Sequence, residues 1–324
     1  MLTKSNYFNL INAANIASGL FENRYVDCIE KFKAFENISL GLPILLQADR
    51  DVFDFSEDNT FTIPENSLLK TIYNLTDPNY VGFEHSFKTN KFLSNFIIQE
   101  KYKNLFQSIV SQNFETLDTI KKLKQSWRRV GAFQTRNIPH SGHEKIIQTM
   151  LLDCDHVVIN PVIGPKKIGD VNIDSLRMIY DFLIKYKYND RVSFQPIFAN
   201  MFYAGPREAV HHTLLRKRLG FDLFSVGRDH AGAEGAYPPE AAPNLVTDLK
   251  DTIGIDVIAH QGAAFCTSCH EVIIIGECKH DSGSLQDIAG TSFRKCLREA
   301  KLFELADKKM LKFIFNSKME LFEK

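Results

Sequence analysis

Two histidines three residues apart close the string Gln134-Thr135-Arg136-Asn137-Ile138-Pro139-His140-Ser141-Gly142-His143-Glu144. On a helix that spacing puts both rings on one face. The string is polar and feeds a helix N-terminus, where unpaired backbone N–H groups and the helix dipole favour an anion. Arg136 adds a planar fork matched to a tetrahedral oxyanion. A nucleotide phosphate suits such a site. His-x-x-His alone also fits a capping pair or two metal ligands.

Three further strings carry the same kind of group. Gly227-Arg228-Asp229-His230-Ala231-Gly232 combines glycines, which let backbone approach a ligand, with positive donors. Gly164-Pro165-Lys166-Lys167-Ile168-Gly169-Asp170-Val171 is a basic turn. Tyr203-Ala204-Gly205-Pro206-Arg207-Glu208-Ala209, followed by His212, sets a proline at a helix's first turn, where its missing N–H is harmless. Separately, Cys266-x2-Cys269 and Cys278-x-His280 offer four soft ligands in two close pairs, the arrangement of a closed tetrahedral structural zinc site. His270 adjoins Cys269 and competes on spacing for the fourth place.

The elements that must position these residues are read from periodicity and punctuation. From VGAFQT onward the chain alternates strand and helix. The order is VGAFQT, a helix from about His140 to Leu152, HVVINPVIG as one strand, helix SLRMIYDFLIKYK, strand SFQPIF, helix REAVHHTLLRKRLG and strand FDLFSVG. That is a parallel sheet with crossover helices, in which ligands bind outside the carboxyl ends of the strands. The strings above fall at those ends. Before them, short apolar runs such as LPILLQ and FLSNFIIQ, broken by NLTDPN and SEDNT, predict a mixed, strand-rich unit. The polar stretch KKLKQS, Lys121 to Ser126, marks the expected boundary.

The 324 residues carry 39 basic and 39 acidic side chains, so no net field draws the chain to nucleic acid or to an anionic membrane. No run reaches the roughly 18 apolar residues of a membrane helix, and the first residues lack the order of a signal peptide. The expectation is a cytoplasmic protein without nucleic-acid or membrane partners. Cys28, Cys154 and Cys296 are scattered and read as core packing, not as a disulfide framework.

QTRN-x-P-H-x-x-H-E resembles the signature of the ATP sulfurylases, whose short histidine motif is shared with the wider HIGH-type nucleotidyltransferases. AGPREA and GRDHAG are similar to further motifs of that family and lie at the expected distances. More weakly, Asn74-Leu75-Thr76-Asp77-Pro78 with Gly82 looks like the turn of the family's PUA-like first domain. Ile288-Ala289-Gly290-Thr291-Ser292-Phe293-Arg294 is similar to the segment that opens a late helix. The resemblance runs from about Ser39 onward. It implies an α/β protein: a PUA-like, β-rich domain over residues 1–125, a Rossmann-like nucleotidyltransferase domain over 126–255, and a zinc-knuckle and helical segment over 256–324.

The activity implied is transfer of the adenylyl group of ATP to sulfate, giving adenosine 5'-phosphosulfate and pyrophosphate, in sulfate assimilation or its reverse. By motif, Gln134, Arg136 and the N–H of Ala231 would hold sulfate. Gln134, Thr135, Arg136, Asn137 and Gly227, Arg228, Asp229, His230 would hold ATP with its Mg²⁺. Thr135, Arg136, Asn137, His140 and His143 would be catalytic, and Cys266, Cys269, Cys278 and His280 would bind structural Zn²⁺. A homo-oligomer is expected. Ala241 and Pro243 stand where the family usually has aspartate and glutamine, which leaves an impaired homologue that binds nucleotide without efficient turnover as the alternative. No G-x-x-x-x-G-K-[ST] loop of a fused kinase is present.

Overall fold

The computed structural model describes residues 2–21, 41–165, 170–233, 235–288, 290–317 and 319–323. Cys28 and Ser39, the turn from Lys166 to Gly169, and Ala289 lie outside the described residues, as does the side chain of Thr291.

Among the first 125 residues, those described hold less strand than expected. The described residues there form β1 (Phe53–Asp54), β2 (Thr60–Thr62), β3 (Lys91–Leu93) and β4 (Ile97–Ile98), paired antiparallel as β1–β4 and β2–β3. Runs such as LPILLQ are apolar enough to be buried, yet this one meets the sheet only through a single bridge from Gln47 to Phe92. An apolar run of that length fixes burial and leaves pairing open. The bulk of the unit is helical. Helix α1 (Lys4–Ala17) is capped by Thr3, whose hydroxyl accepts from the Asn6 N–H at 3.1 Å. It packs against α2 (Lys103–Ser126), whose last turns are the KKLKQS stretch expected to be a boundary.

β5 (Val130–Phe133) is buried at all four positions, as a strand covered on both faces must be. It opens a five-stranded parallel sheet in the order β11-β10-β5-β6-β8, formed with β6 (His156–Ile159), β8 (Val192–Phe194), β10 (Leu223–Gly227) and β11 (Asp256–His260). The expected strands HVVINPVIG and SFQPIF are each two strands. Pro161 and Pro196 cannot donate to a ladder, so the chain leaves the main sheet at each. The halves beyond them, β7 (Val162–Ile163) and β9 (Ile197–Phe198), pair with one another in parallel.

Three crossover helices match the reading: α3 (Ser141–Asp153), α4 (Ile173–Lys187) and α5 (Pro206–Leu219). One face of the sheet packs Ile147, Leu176, Ile179 and Leu183 together with Phe293 of α7 (Gly290–Arg298) and Met310 of α8 (Lys308–Ser317). The other packs Val210, Leu215 and, from α6 (Ala241–Asp248), Val246, and this core continues into Phe8, Tyr73 and Phe92 of the first unit. A small antiparallel sheet, β13-β12-β14, follows, built from β12 (Ala263–Cys266), β13 (Glu271–Ile274) and β14 (Leu285–Asp287). Among the described residues no helix is long and apolar enough to cross a membrane.

Entry into α5 depends on one backbone position. Gly205 has φ 54° and ψ −122°, a conformation only glycine adopts freely, and an added Cβ would meet the Tyr237 ring at 2.4 Å. Gly205→Ala is therefore expected to cost about 2 kcal/mol or more in unfolding free energy. Tyr237→Ala in the same chain should recover part of the loss in thermal denaturation, leaving the φ strain.

Candidate active site

The main sheet changes direction at β5. The chain runs outward through β6 and β8, then crosses back to β10 on the other side. Loops diverge at such a switch point and leave a crevice. Here the loops are Gln134 to His140 after β5 and Arg228 to Gly232 after β10, and they line one cavity of about 420 Å³. Gln134, Thr135, Arg136, Asn137, His140, His143, Gly227, Arg228, Asp229, His230 and Ala231 all border it. Of the turn after the second strand, Gly164, Pro165 and Asp170 border it as well.

The loop after β5 is braced on its own chain. Thr135 Oγ1 accepts from the Asn137 N–H at 3.1 Å, and Asn137 Oδ1 accepts from Arg294 Nη1 at 2.9 Å. Arg294 belongs to the string quoted for its likeness to a late-helix segment, yet its contact with the active-site loop was not legible there. The Arg136 guanidinium lies 5.6 Å from the centre of the Tyr203 ring and makes no ion pair among the described residues. Gln134 Oε1 is buried with no hydrogen-bond partner among the described residues. Rotating that amide half a turn puts its donors there instead, since oxygen and nitrogen are interchangeable in such a side chain.

His140 is the N-cap of α3. Its Nδ1 accepts from the Gly142 N–H at 3.1 Å, while His143 Nδ1 accepts from the His140 N–H at 3.3 Å, a reciprocal capping box. Both Nδ1 atoms being acceptors, each neutral ring carries its proton on Nε2. Burial pushes His140 down to about 4 and His143 well below its ordinary value, the latter also through His140 and His260 nearby. Both are thus neutral Nε2–H donors at pH 7, not cations. The spacing of the two residues did not reveal this, because it depends on which backbone N–H each ring meets.

The loop after β10 contains two non-glycine residues at positive φ, Asp229 and Ala231, both at 54°. Such conformations cost energy and concentrate at ligand sites. The Asp229 N–H donates to Pro239 O at 2.7 Å and Gly205 N–H to Ala231 O at 3.1 Å, while the Ala231 N–H has no acceptor among the described residues. Arg228 Nη2 is 3.4 Å from Asp287 Oδ1 at the exposed rim. His260, missed in the sequence, also borders the cavity. It takes the Gly262 N–H on Nδ1 and faces Ser225 Oγ at 3.1 Å, and Gly227 must lack a Cβ because one would lie 2.8 Å from the His260 ring.

Away from the cavity, Cys266, Cys269, Cys278 and His280 converge, with all four ligand atoms within 4.8 Å of one another. His280 Nδ1 lies 3.5 Å from Cys266 Sγ and 3.3 Å from Cys269 Sγ, and the Cys266 and Cys278 sulfurs are 3.9 Å apart. Metal–sulfur bonds of about 2.3 Å give a tetrahedron with edges of about 3.8 Å. The four side chains therefore fit a bound metal such as zinc. His270 is not in the cluster.

Residues 112–306 match the family model described as ATP-sulfurylase. A sulfate adenylyltransferase of Ignicoccus hospitalis is 30% identical over 90% of this chain and 83% of its own length. One from Persephonella marina is 29% identical over 93% of this chain and 79% of its own. Among solved structures, a hexameric APS kinase from Thiobacillus denitrificans has a TM-score of 0.59 at 14% identity, covering 96% of this chain. This chain spans 62% of that structure's length, and the likeness speaks to fold alone.

Proposed function

This chain belongs to the ATP-sulfurylase family, and we propose from that premise how its residues carry out sulfate adenylylation. The enzyme is a sulfate adenylyltransferase: an oxygen of sulfate attacks the α-phosphorus of ATP, and the bond to the bridging oxygen of the β-phosphate breaks. Pyrophosphate leaves with that electron pair, and no proton need move. Sulfate is a weak nucleophile, so the protein must act by positioning and by stabilising charge. The observation that carries this reading is the convergence, at one switch point, of a guanidinium with no ion pair and a backbone N–H with no acceptor among the described residues, together with two neutral imidazole donors.

Arg136, the Ala231 N–H and the Gln134 amide hold sulfate. Thr135 and Asn137 orient the triphosphate, with Asn137 held in turn by Arg294. His140 and His143 donate Nε2–H to phosphate oxygens as charge moves onto the leaving pyrophosphate, and Gly227, Arg228, Asp229 and His230 hold the nucleotide. Mg²⁺ accompanies ATP and screens its phosphates. Zn²⁺ is the metal that best suits three cysteines and one histidine, in a closed site with no position left for substrate. The PUA-like character of residues 1–125, the divisions at 125 and 255, a homo-oligomeric state and a cytoplasmic location rest on the resemblance. The altered loop is anchored by the Tyr237 hydroxyl, which donates to Tyr73 O at 2.8 Å, and nothing in the cavity favours the impaired alternative.

Purified protein with Mg²⁺-ATP is expected to release pyrophosphate only when sulfate is added. Molybdate, a tetrahedral mimic, should give AMP and pyrophosphate, since its anhydride with AMP hydrolyses. Release that is independent of both anions, or absent with both, would exclude this function.

A further inference from the structure

A chain of titratable groups runs behind the cavity from α5 to His230 in the loop after β10, and no step above uses its two fully buried members, Glu208 and His212. Glu208 is fully buried; its Oε1 accepts from the Phe202 N–H at 2.8 Å and its Oε2 from the Ala204 N–H at 2.9 Å. One helical turn on, His212 is also fully buried, with Nε2 3.3 Å from Glu208 Oε1. That approach is bent and falls short of a good hydrogen bond. His212 Nδ1 lies 3.0 Å from His230 Nε2, and His230 borders the cavity.

We propose that Glu208 and His212 are positioning residues that fix the tautomer of His230, so that His230 offers the nucleotide an acceptor at Nδ1. An imidazole lone pair on His212 Nε2 would face a carboxylate oxygen across 3.3 Å with no water between, which is repulsive; a proton there is attractive. The His212 proton therefore sits on Nε2, leaving Nδ1 as an acceptor. The 3.0 Å contact then requires the His230 proton on Nε2. His230 Nδ1 keeps a lone pair and has no partner among the described residues. Phosphates bring only acceptors to such an atom. The donors of ATP are its exocyclic amine and its ribose hydroxyls, so this end of the site reads the nucleoside. The inference rests on the reading that Gly227 to His230 hold ATP.

Burial lifts Glu208 to about 7, opposed by the two backbone N–H bonds and by the charges of His85 and Arg136, with Tyr73, Tyr203 and Tyr237 the other titratable groups around it. The test therefore belongs at pH 8, where the carboxylate form prevails. Histidine-selective ¹⁵N spectra of the full chain, assigned through His230→Asn and His212→Asn, report directly which nitrogen carries the proton. In wild type, His230 should be protonated on Nε2, and ATP should perturb its Nδ1. Glu208→Gln removes the charge that holds the His212 proton on Nε2, while both positions of its amide face backbone N–H donors; it should leave His212 and His230 as mixtures of tautomers, raising KM for ATP by up to about tenfold, the worth of one hydrogen bond, with a smaller change in kcat. His212→Asn, whose amide oxygen can replace Nδ1, should retain the wild-type tautomer of His230; His212→Leu should not.

Replacing the exocyclic amine (ITP) or a ribose hydroxyl (deoxy-ATP) identifies the donor: the analogue lacking it should show the raised KM in wild type and a smaller further rise in Glu208→Gln. A wild-type His230 protonated on Nδ1 overturns the proposal whatever the activity. A His230 signal that ATP leaves unmoved in an active enzyme overturns the assignment of this loop to the nucleotide and, with it, the acceptor role.

Discussion

Arg136→Lys is expected to lower kcat/KM for sulfate by about a hundredfold or more while leaving the unfolding midpoint within a degree or two of wild type. The argument has two parts. Arg136 makes no ion pair among the described residues, so its loss should cost the fold little. Its planar group would present two parallel donors to a tetrahedral anion, and the ring of Tyr203 limits where that plane can lie. Lysine keeps the charge on a flexible stem and offers it as a point, so the anion is attracted without being oriented for in-line attack. Steady-state kinetics at varied sulfate, with circular dichroism to check the fold, decides the matter. Near-wild-type turnover would remove Arg136 from the sulfate site.

Stripping the metal from the cysteine cluster should have the largest effect on stability. Elemental analysis is expected to find about one zinc per chain, and apparent binding free energies at such sites are roughly 10–16 kcal/mol, which is also folding free energy for the segment they tie. The ligands come from the end of β12 at Cys266, the turn at Cys269 and the segment between β13 and β14 at Cys278 and His280. The Cys269 N–H also donates to Cys266 Sγ at 3.4 Å, an outer contact of the kind that orients thiolate ligands. Cys269→Ser should therefore release the β13-β12-β14 sheet, seen as faster proteolysis and amide exchange there. KM for ATP and sulfate should change much less. A metal-free chain that is as stable and as protected as the wild type would defeat the structural role.

Much of this was legible in the sequence, for identifiable reasons. Helices α3, α4 and α5 are long and periodic, and β5 and β10 are apolar runs ending in glycine or polar residues, so local pattern located them and put the motifs at strand ends. The paired Cys-x2-Cys and Cys-x-His spacing picked out the four side chains that cluster, because short loops fix their separation almost by themselves. Among the described residues of the first 125, strand is scarcer than the apolar runs led one to expect, because an apolar run specifies burial while pairing needs a partner elsewhere in the chain. The breaks at Pro161 and Pro196 could have been read locally, since proline removes a ladder donor.

What the sequence by itself determined, then, was the inventory of groups and the edge of the sheet on which they stand. Tertiary structure alone decided how each group is presented at the cavity. His140 and His143 became neutral Nε2–H donors through the backbone N–H groups they cap and the desolvation around them. Asn137 is held by Arg294, 157 residues further on, and His230, in the loop after β10, meets His212 of α5. Protonation state and hydrogen-bond direction depend on desolvation and on neighbours brought from far along the chain, and neither is a local property of sequence.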